Sequence, residues 1–241
     1  MSVADFTNTI GVHEFDPCVF GFRDIMAAHC RERLGTDLLE RLHDTIPDAL
    51  KPKGLITVDA DQATYLHAVL YQVDPEYQRG REAAATTADR GFIRTYRAFV
   101  RYLAEAAFRE SLVFQRLPTL RVQLPGNLSV GAFHRDAEYN HPKEEINVWV
   151  PLTPAERTAS IWIEGSRGAG DHRPRDLRYG QYLLFDGGLE HGNKVNAEGY
   201  TRVSFDFRII PLRRYRESDG VSHDQRMTFR IGDYYDVETV T

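Results

Sequence analysis

The second half of the chain is a succession of short apolar segments separated by turns that contain glycine or proline. It begins at Pro118, and no helical periodicity interrupts the segments. Several short strands at close spacing, without intervening helices, are typical of antiparallel sandwiches and barrels. The sequence therefore predicts such a core over residues 118–211, with strands at 119–124, 129–134, 145–152, 159–164, 181–185 and 202–211.

The first half, residues 1–117, is predicted to be mainly helical, which makes the chain a single α+β domain. Apolar residues at three- and four-residue spacing predict helices over 20–34, 37–46, 60–72 and 89–112. The apolar stripe of the last helix is interpreted as a packing face against the sheet. For the charged segment 212–241, a surface hairpin, a lid and an arm that contacts another subunit all stay open.

Composition limits the class of partner. The 241 residues are 42% hydrophobic and 27% charged, as in ordinary globular proteins, and the formal net charge is -5. This acidic balance argues against nucleic acid and anionic membranes as partners. No apolar run approaches the roughly 20 residues that span a bilayer, and the first residues lack the pattern of a secretory signal. Two cysteines, Cys18 and Cys30, do not make a disulfide framework, so a cytoplasmic protein is expected.

A candidate metal site centres on His134 and Asp136 in the stretch GAFHRDAEYNHPKEEIN. In an extended backbone both side chains project to the same side and offer one imidazole and one carboxylate to a single cation. His191, 55 residues after Asp136, follows a glycine-rich turn in FDGGLEHGN and supplies a third ligand. Such a set is typical of non-haem Fe(II) oxygenases. A lone His-x-Asp also occurs by chance, and these side chains would then serve only surface hydrogen bonds.

The segment TRVSFDFR carries a second signal. In a strand, its alternation places Arg202, Ser204, Asp206 and Arg208 on one face and the phenylalanines on the other. A polar row inside a barrel suits a dicarboxylate cosubstrate, because arginine pairs bidentately with a carboxylate and serine adds a hydrogen bond. In the alternative interpretation, the polar row faces solvent and the phenylalanine row faces the core.

The order of these residues, with Arg202 and Ser204 eleven and thirteen residues after His191, resembles that of the Fe(II)/2-oxoglutarate-dependent dioxygenases. The string FHRDAEYNHPKEEINVWVPLT…FDGGLEHGN…GYTRVSFDFRIIP is similar to a narrower group, the StrG-like natural-product oxygenases of bacteria. The resemblance covers residues 119–211. It implies a double-stranded β-helix of jelly-roll, cupin-like form, with helices packed on one face.

The same resemblance implies Fe(II) as cofactor and 2-oxoglutarate and O2 as cosubstrates. His134, Asp136 and His191 would hold the iron, and Arg202, helped by Ser204, would hold the distal carboxylate of 2-oxoglutarate. Three further residues are expected to make supporting hydrogen bonds around the cosubstrate and the ligands: Gln123, Asn147 and Asn193.

The implied reaction is hydroxylation of an unactivated C–H bond, with succinate and CO2 as co-products. Asp136 argues against halogenation, because halogenating relatives replace this carboxylate with a small residue. Desaturation and ring formation stay open, since they begin from the same hydrogen abstraction. Two other classes stay open as well: a cupin-like metalloprotein with non-oxidative chemistry, and a sandwich that binds a partner without catalysis.

Three residues are candidates for contact with the substrate. Tyr139 and His141 lie in the loop after Asp136, and Glu164 ends the predicted strand IWIE. The alternatives are surface packing for the first two and pairing with a nearby arginine for Glu164. The expected substrate is a small polar, amine-bearing molecule, such as an amino acid or a natural-product intermediate. A homodimer is compatible with the sequence, and no nucleic-acid or membrane partner is expected.

Overall fold

The computed structural model describes residues 9–45, 87–128, 132–222 and 227–240. The helix predicted over 60–72 lies outside these residues. The described part contains helix α1 (Phe22–Leu34) and helix α2 (Thr87–Tyr102), which a π-helical turn (Leu103–Phe108) continues. Short 3-10 helices cover Leu39–Thr45, Asp136–Tyr139, Arg157–Ala159 and Leu212–Arg214. Neither α-helix in the described ranges is long and apolar enough to cross a membrane.

The strands of the described residues form two antiparallel sheets. They are β1 (Ile10–Glu14), β2 (Leu112–Gln115), β3 (Thr119–Gln123), β4 (Ile146–Pro151), β5 (Trp162–Ile163), β6 (Arg173–Pro174), β7 (Gln181–Asp186), β8 (His191–Gly192), β9 (Arg202–Pro211) and β10 (Tyr235–Glu238). The larger sheet has the order β1-β7-β4-β9-β2-β10, with β3 also paired to β9, and the smaller sheet has the order β6-β5-β8. The predicted antiparallel core is confirmed.

Strand β9 is the centre of the larger sheet, and both of its faces are buried. It pairs with β4 along one edge and with β2 and β3 along the other. One face carries Phe205 and Phe207, which pack against the helices. The Phe205 ring, for example, lies 4.8 Å from the ring of Phe22 in α1. The opposite face carries the polar row from Arg202 to Arg208, which is also buried. The interpretation in which the polar row faces solvent is therefore wrong.

Helix α2 packs on the sheet as its apolar stripe predicts. Tyr96 meets Phe207 edge to face with centroids 4.9 Å apart, and Phe99 lies 5.4 Å from Tyr182 of β7. Both residues are fully buried in a cluster that also includes residues of α1. Aromatic pairs in this geometry add stability beyond the area that they bury. The two helices thus cover one face of the larger sheet and leave its other face for the site.

Two predicted helices differ from the structure. The helix predicted to reach residue 112 loses its α-helical pattern after Tyr102, and Arg109 adopts a left-handed conformation with φ of 56°. Leu112 then starts β2, whose four residues are all buried. A fully buried strand lacks alternation, so its apolar residues continue the helical pattern without a visible break. The segment predicted as a helix over 37–46 is the 3-10 helix Leu39–Thr45.

Some predicted strands are shorter, and several strands were not predicted. The strand predicted over 159–164 is reduced to β5, and His134 forms only an isolated bridge with His191, while residues 129–131 lie outside the described ranges. The short strands β6 and β8, and β1 and β10 at the sheet edges, had no strong pattern. Through β10, the charged C-terminal segment pairs with β2 and becomes part of the larger sheet.

Candidate metal centre

His134 and His191 face each other across a short antiparallel bridge. Their backbones exchange two hydrogen bonds, at 3.0 Å from the His134 N–H and at 2.9 Å from the His191 N–H. The Nδ1 atom of His134 lies 2.8 Å from the Ala132 carbonyl, and that of His191 lies 2.9 Å from the Leu189 carbonyl. A carbonyl oxygen only accepts, so each Nδ1 carries a proton, and in the neutral form of the ring Nε2 keeps its lone pair.

Asp136 completes the cluster from the start of a 3-10 turn. Its Oδ1 lies 3.7 Å from His134 Nε2 and 3.5 Å from His191 Nε2. Its Oδ2 accepts a hydrogen bond of 2.6 Å from Asn147 Nδ2, and its backbone N–H donates to the Gly187 carbonyl at 3.1 Å. Gly187 must lack a side chain, because a Cβ there would overlap Asp136 Oδ2.

The charge states of the cluster suit a cation. Burial alone would raise the pKa of Asp136, but Arg208, His191 and the neighbouring histidines hold it well below its usual range. Burial lowers the pKa of His191 to about 4, although the Asp136 charge opposes this shift. At neutral pH, His191 is therefore a neutral imidazole beside an ionised carboxylate.

These observations test whether the three residues fit a metal ion. One donor atom from each of His134, Asp136 and His191 lies within 4.8 Å of the other two, so a single ion could contact all three. Two imidazole nitrogens and one carboxylate oxygen are a donor set for a divalent transition metal, and the three ligands leave further coordination positions open. The residues fit a metal of this kind, and the predicted cluster is brought together by the fold.

Arg202 lines a cavity together with His134 and His191, and only 1% of its surface is exposed. Its Nη1 donates to Ser204 Oγ at 2.7 Å, and its Nη2 donates to Gln123 Oε1 and Asn193 Oδ1, both at 3.1 Å. Asn193 is only two residues beyond His191, so the guanidinium is anchored next to the metal-facing strand. The residues predicted for the cosubstrate thus form one hydrogen-bonded group, apart from Asn147, which bonds to Asp136.

A second set of buried charges extends along β9; its Asp206 and Arg208 belong to the predicted polar row, whereas Arg121 was not predicted as part of the site. Asp206 Oδ1 accepts a hydrogen bond of 2.8 Å from Arg121 Nε, and its Oδ2 accepts one of 2.6 Å from Arg208 Nη1. Arg208 Nη2 lies 3.7 Å from Asp136 Oδ1, so this row of charges reaches the candidate metal ligands. Arg121 is on β3, far from Asp206 in sequence, and only the register of β3 on β9 brings the two strands together.

The cavity beside the cluster combines these polar groups with an apolar wall of Trp149, Ile161 and Phe185. The Phe185 ring lies 4.9 Å from the His191 ring, and the Arg202 guanidinium lies 5.8 Å from the Trp149 ring. Asn147 Oδ1 is buried and has no hydrogen-bond partner among the described residues. It is therefore an acceptor that a bound molecule or a metal-bound water could satisfy.

The three residues predicted to contact substrate have different surroundings. Tyr139 packs edge-on against the His134 ring at 5.0 Å, at the rim of the cluster. His141 Nδ1 instead lies 2.7 Å from Glu145 Oε2, and its ring packs at a tilt against Phe229 of the C-terminal segment, with centroids 4.8 Å apart. Glu164 is fully buried outside the cavity lining, where it accepts the Glu190 N–H at 2.7 Å and faces Arg135. Pairing with an arginine was the alternative left open for Glu164.

Comparison with known proteins gives one sequence relative and a set of solved structures. No family model matches the chain. Among solved structures, AviO1 from Streptomyces viridochromogenes Tue57 has a TM-score of 0.50 and 15% identity, covering 85% of this chain and 90% of that chain. The two proteins share the fold. CytC3 with Fe(II) and alpha-ketoglutarate matches at a TM-score of 0.35 and 15% identity over 47% of this chain and 54% of that chain, which is too low a likeness to support a conclusion.

The sequence relative is the streptomycin biosynthesis protein StrG of Streptomyces griseus. It is 39% identical to the chain over 128 residues, which are 53% of this chain and 61% of that protein. The chain thus spans about three fifths of the length of the curated relative that it matches. The resemblance predicted from the His-x-Asp, distal-histidine and arginine segments is confirmed, and the chain is a homologue of the streptomycin biosynthesis protein StrG.

Proposed function

We propose that the chain is an Fe(II)- and 2-oxoglutarate-dependent oxygenase that hydroxylates a C–H bond of a small polar intermediate in natural-product biosynthesis. The single observation that carries this proposal is the convergence of two imidazoles and one carboxylate, where both imidazoles line a cavity that a buried arginine also lines. The two sheets that enclose the cavity are interpreted as a double-stranded β-helix of the jelly-roll type. The name of the StrG relative supports a role in natural-product biosynthesis.

In this function His134, Asp136 and His191 would hold the iron. Iron bound there, with 2-oxoglutarate and O2, supplies the oxidising power for attack on an unactivated C–H bond, and the cosubstrate leaves as succinate and CO2. A backbone carbonyl accepts a hydrogen bond from Nδ1 of each imidazole, which holds both rings with Nε2 toward Asp136. At neutral pH Asp136 is already ionised and His191 is already neutral, so neither has to lose a proton before it binds a metal.

Arg202 would bind the distal carboxylate of 2-oxoglutarate. Its buried positive charge suits pairing with a carboxylate, and Ser204 beside it adds a hydroxyl donor. Gln123 and Asn193 hold the guanidinium in place through hydrogen bonds of 3.1 Å. A guanidinium that is already oriented loses little freedom when the cosubstrate arrives, which favours binding.

The remaining cavity groups would orient the substrate and exclude water. Trp149, Ile161 and Phe185 form the apolar wall, and an apolar wall strengthens the nearby electrostatic contacts by keeping water out. Asn147 Oδ1 could accept an N–H or O–H from a polar substrate, and this supports the proposal of an amine-bearing molecule. The retained carboxylate ligand favours hydroxylation over halogenation, and desaturation or ring formation by the same site is the alternative outcome.

An anaerobic titration of the metal-free protein with Fe(II) and then 2-oxoglutarate tests the proposal. We expect one Fe(II) to bind and a weak visible charge-transfer band to appear when 2-oxoglutarate chelates it. The band should be lost in Asp136→Ala, because that variant lacks a ligand. Fe(II) binding without the band would refute the cosubstrate and favour a cupin-like, non-oxidative metalloprotein. Absence of stoichiometric metal binding would refute the enzyme class altogether.

A further inference from the structure

Behind the two metal-facing histidines, on the other side of their strands, lies a second cross-strand pair. His134 and His191 are directly opposite each other in an antiparallel bridge. Because the segments are antiparallel, Arg135, which follows His134, is opposite Glu190, which precedes His191. Alternation turns both of these side chains away from the histidines. Arg135 Nη1 lies 3.3 Å from Glu190 Oε1. This charged pair therefore joins the same two segments that present the imidazoles.

Glu164 brings a third segment to the same place. It follows Ile163 of β5, which is opposite His191, and its N–H donates to the Glu190 carbonyl at 3.0 Å. Its carboxylate is fully buried, and Oε1 accepts the Glu190 N–H at 2.7 Å. Arg135 Nη2 lies 3.4 Å from that same oxygen. Arg135 is thus in contact with both carboxylates, one through each arm of its guanidinium.

The arrangement makes Arg135 hard to replace. Glu164 and Glu190 are neighbours on adjacent strands and share a face, and like charges in such positions repel each other. The repulsion between the two glutamates and the attraction of each to Arg135 are stronger than between exposed charges, because Glu164 is buried and water screens it poorly. Loss of the Arg135 charge would remove these two attractions, together with a longer one to Glu138 at 3.9 Å, and leave the repulsion between Glu164 and Glu190.

We propose that Arg135 is a positioning residue for the metal centre. Its guanidinium bridges Glu164 and Glu190, holds the His134 segment against the His191 strand, and so fixes the separation of the two imidazoles. The proposal rests on the metal site of the proposed function. It goes beyond that function because Arg135 lies on the outer side of the strands and acts through the backbone, without touching the metal or the substrate.

Metal affinity of an Arg135→Met variant tests this role. Methionine keeps much of the length of the side chain and removes its charge. The metal-free protein is titrated with Co(II), an air-stable substitute for Fe(II), and the visible absorption reports both affinity and coordination geometry. We expect wild type to bind one Co(II) and Arg135→Met to bind it about tenfold or more weakly, with an altered spectrum.

Two further variants separate positioning from a general loss of stability. Arg178→Met is the matched control, because it breaks a surface pair at 3.5 Å between Glu14 of β1 and Arg178, which precedes β7. It should bind Co(II) as wild type does. Glu190→Gln in the Arg135→Met background should recover part of the lost affinity, because it removes the repulsion between the two glutamates.

Wild-type affinity and an unchanged spectrum in Arg135→Met would overturn the proposal. If Arg135→Met does not fold, Glu190→Gln alone decides, since it keeps the side-chain shape and leaves Arg135 paired with Glu164. Weaker Co(II) binding by Glu190→Gln would then support the proposal, and unchanged binding would overturn it. A wild-type protein that binds no Co(II) would refute the metal site itself, which is a separate failure.

Discussion

Asn147 holds one oxygen of Asp136 and leaves the other directed at the two histidines. Its Nδ2 donates to Asp136 Oδ2 at 2.6 Å, whereas Oδ1 lies 3.5 Å from His191 Nε2. Gly187 closes the other side of Oδ2, because its backbone approaches the carboxylate where no Cβ would fit. Oδ1 is therefore the oxygen that would bind a metal held with the two histidines, while Oδ2 accepts from Asn147.

Gly187→Ala should weaken metal binding about tenfold or more, because the added methyl group displaces the Asp136 carboxylate from its position. Co(II) or Mn(II) titration of the metal-free variant measures the change. Gly199→Ala is the matched control, since a Cβ at Gly199 meets no atom within 4 Å. Equal metal affinities for the two alanine variants would show that the close approach at Gly187 does not position Asp136.

Arg202→Lys should raise the dissociation constant of 2-oxoglutarate on the order of 100-fold, because a lysine cannot reproduce a planar fork at a buried, hydrogen-bonded charge pair. Metal affinity should change little, since Arg202 is not a predicted ligand. The charge-transfer band of the anaerobic Fe(II) complex follows the titration with 2-oxoglutarate. An unchanged dissociation constant would assign the distal carboxylate to Arg208 or Arg121, the other arginines of the cavity.

Much of the candidate site could be predicted because its signals are local in sequence. The alternation around Arg202 and Ser204 predicted β9 with its correct bounds, and one-residue spacing placed His134 and Asp136 together. His191 was found because a glycine-rich turn follows a recognisable strand. These features depend on period-two geometry and turn chemistry, which act over a few residues.

The parts that sequence did not predict depend on pairing between distant segments. Arg121 reaches Asp206 only because β3 pairs with β9 in one particular register. Strand β1 is identified by its pairing with β7, more than 160 residues later, and its own pattern of five residues is weak. Register is set by the packing of whole sheets, so no local pattern reports it. The role of Gly187 was hidden for the same reason, since only tertiary packing places it against Asp136.

The two cysteines should react very differently with thiol reagents. Cys30 lies on α1 and is fully buried in the hydrophobic core, and burial raises the pKa of its thiol to about 12. Cys18 is exposed. Only the thiolate reacts, so at pH 8 we expect one rapidly modified thiol in the native protein and two after denaturation. Quantification with Ellman's reagent measures this. Cys18→Ser should abolish the rapid phase, and a rapid phase that persists would contradict the assignment.

Asp206 should stabilise the fold strongly, because its buried carboxylate accepts hydrogen bonds from both Arg121 and Arg208. Asp206→Asn is expected to lower the free energy of unfolding by about 3 to 5 kcal/mol at pH 7, since it leaves buried positive charge uncompensated. Glu14→Gln, at an exposed pair with Arg178, should cost less than about 1 kcal/mol. Urea unfolding of both variants measures the two losses.

The Asp206 effect should also depend on pH in one direction. Burial alone would raise the pKa of Asp206, but Arg121 and Arg208 outweigh burial and hold it below its ordinary value. A carboxyl whose pKa is lower in the folded state stabilises the fold above its unfolded pKa of about 3.9, and this stabilisation is lost as pH falls through the folded value. The difference between wild type and Asp206→Asn should therefore be constant near neutral pH and shrink below about pH 4. A difference that grew on acidification would mean that the carboxyl is protonated more readily in the folded protein, and that the two arginines do not hold its charge.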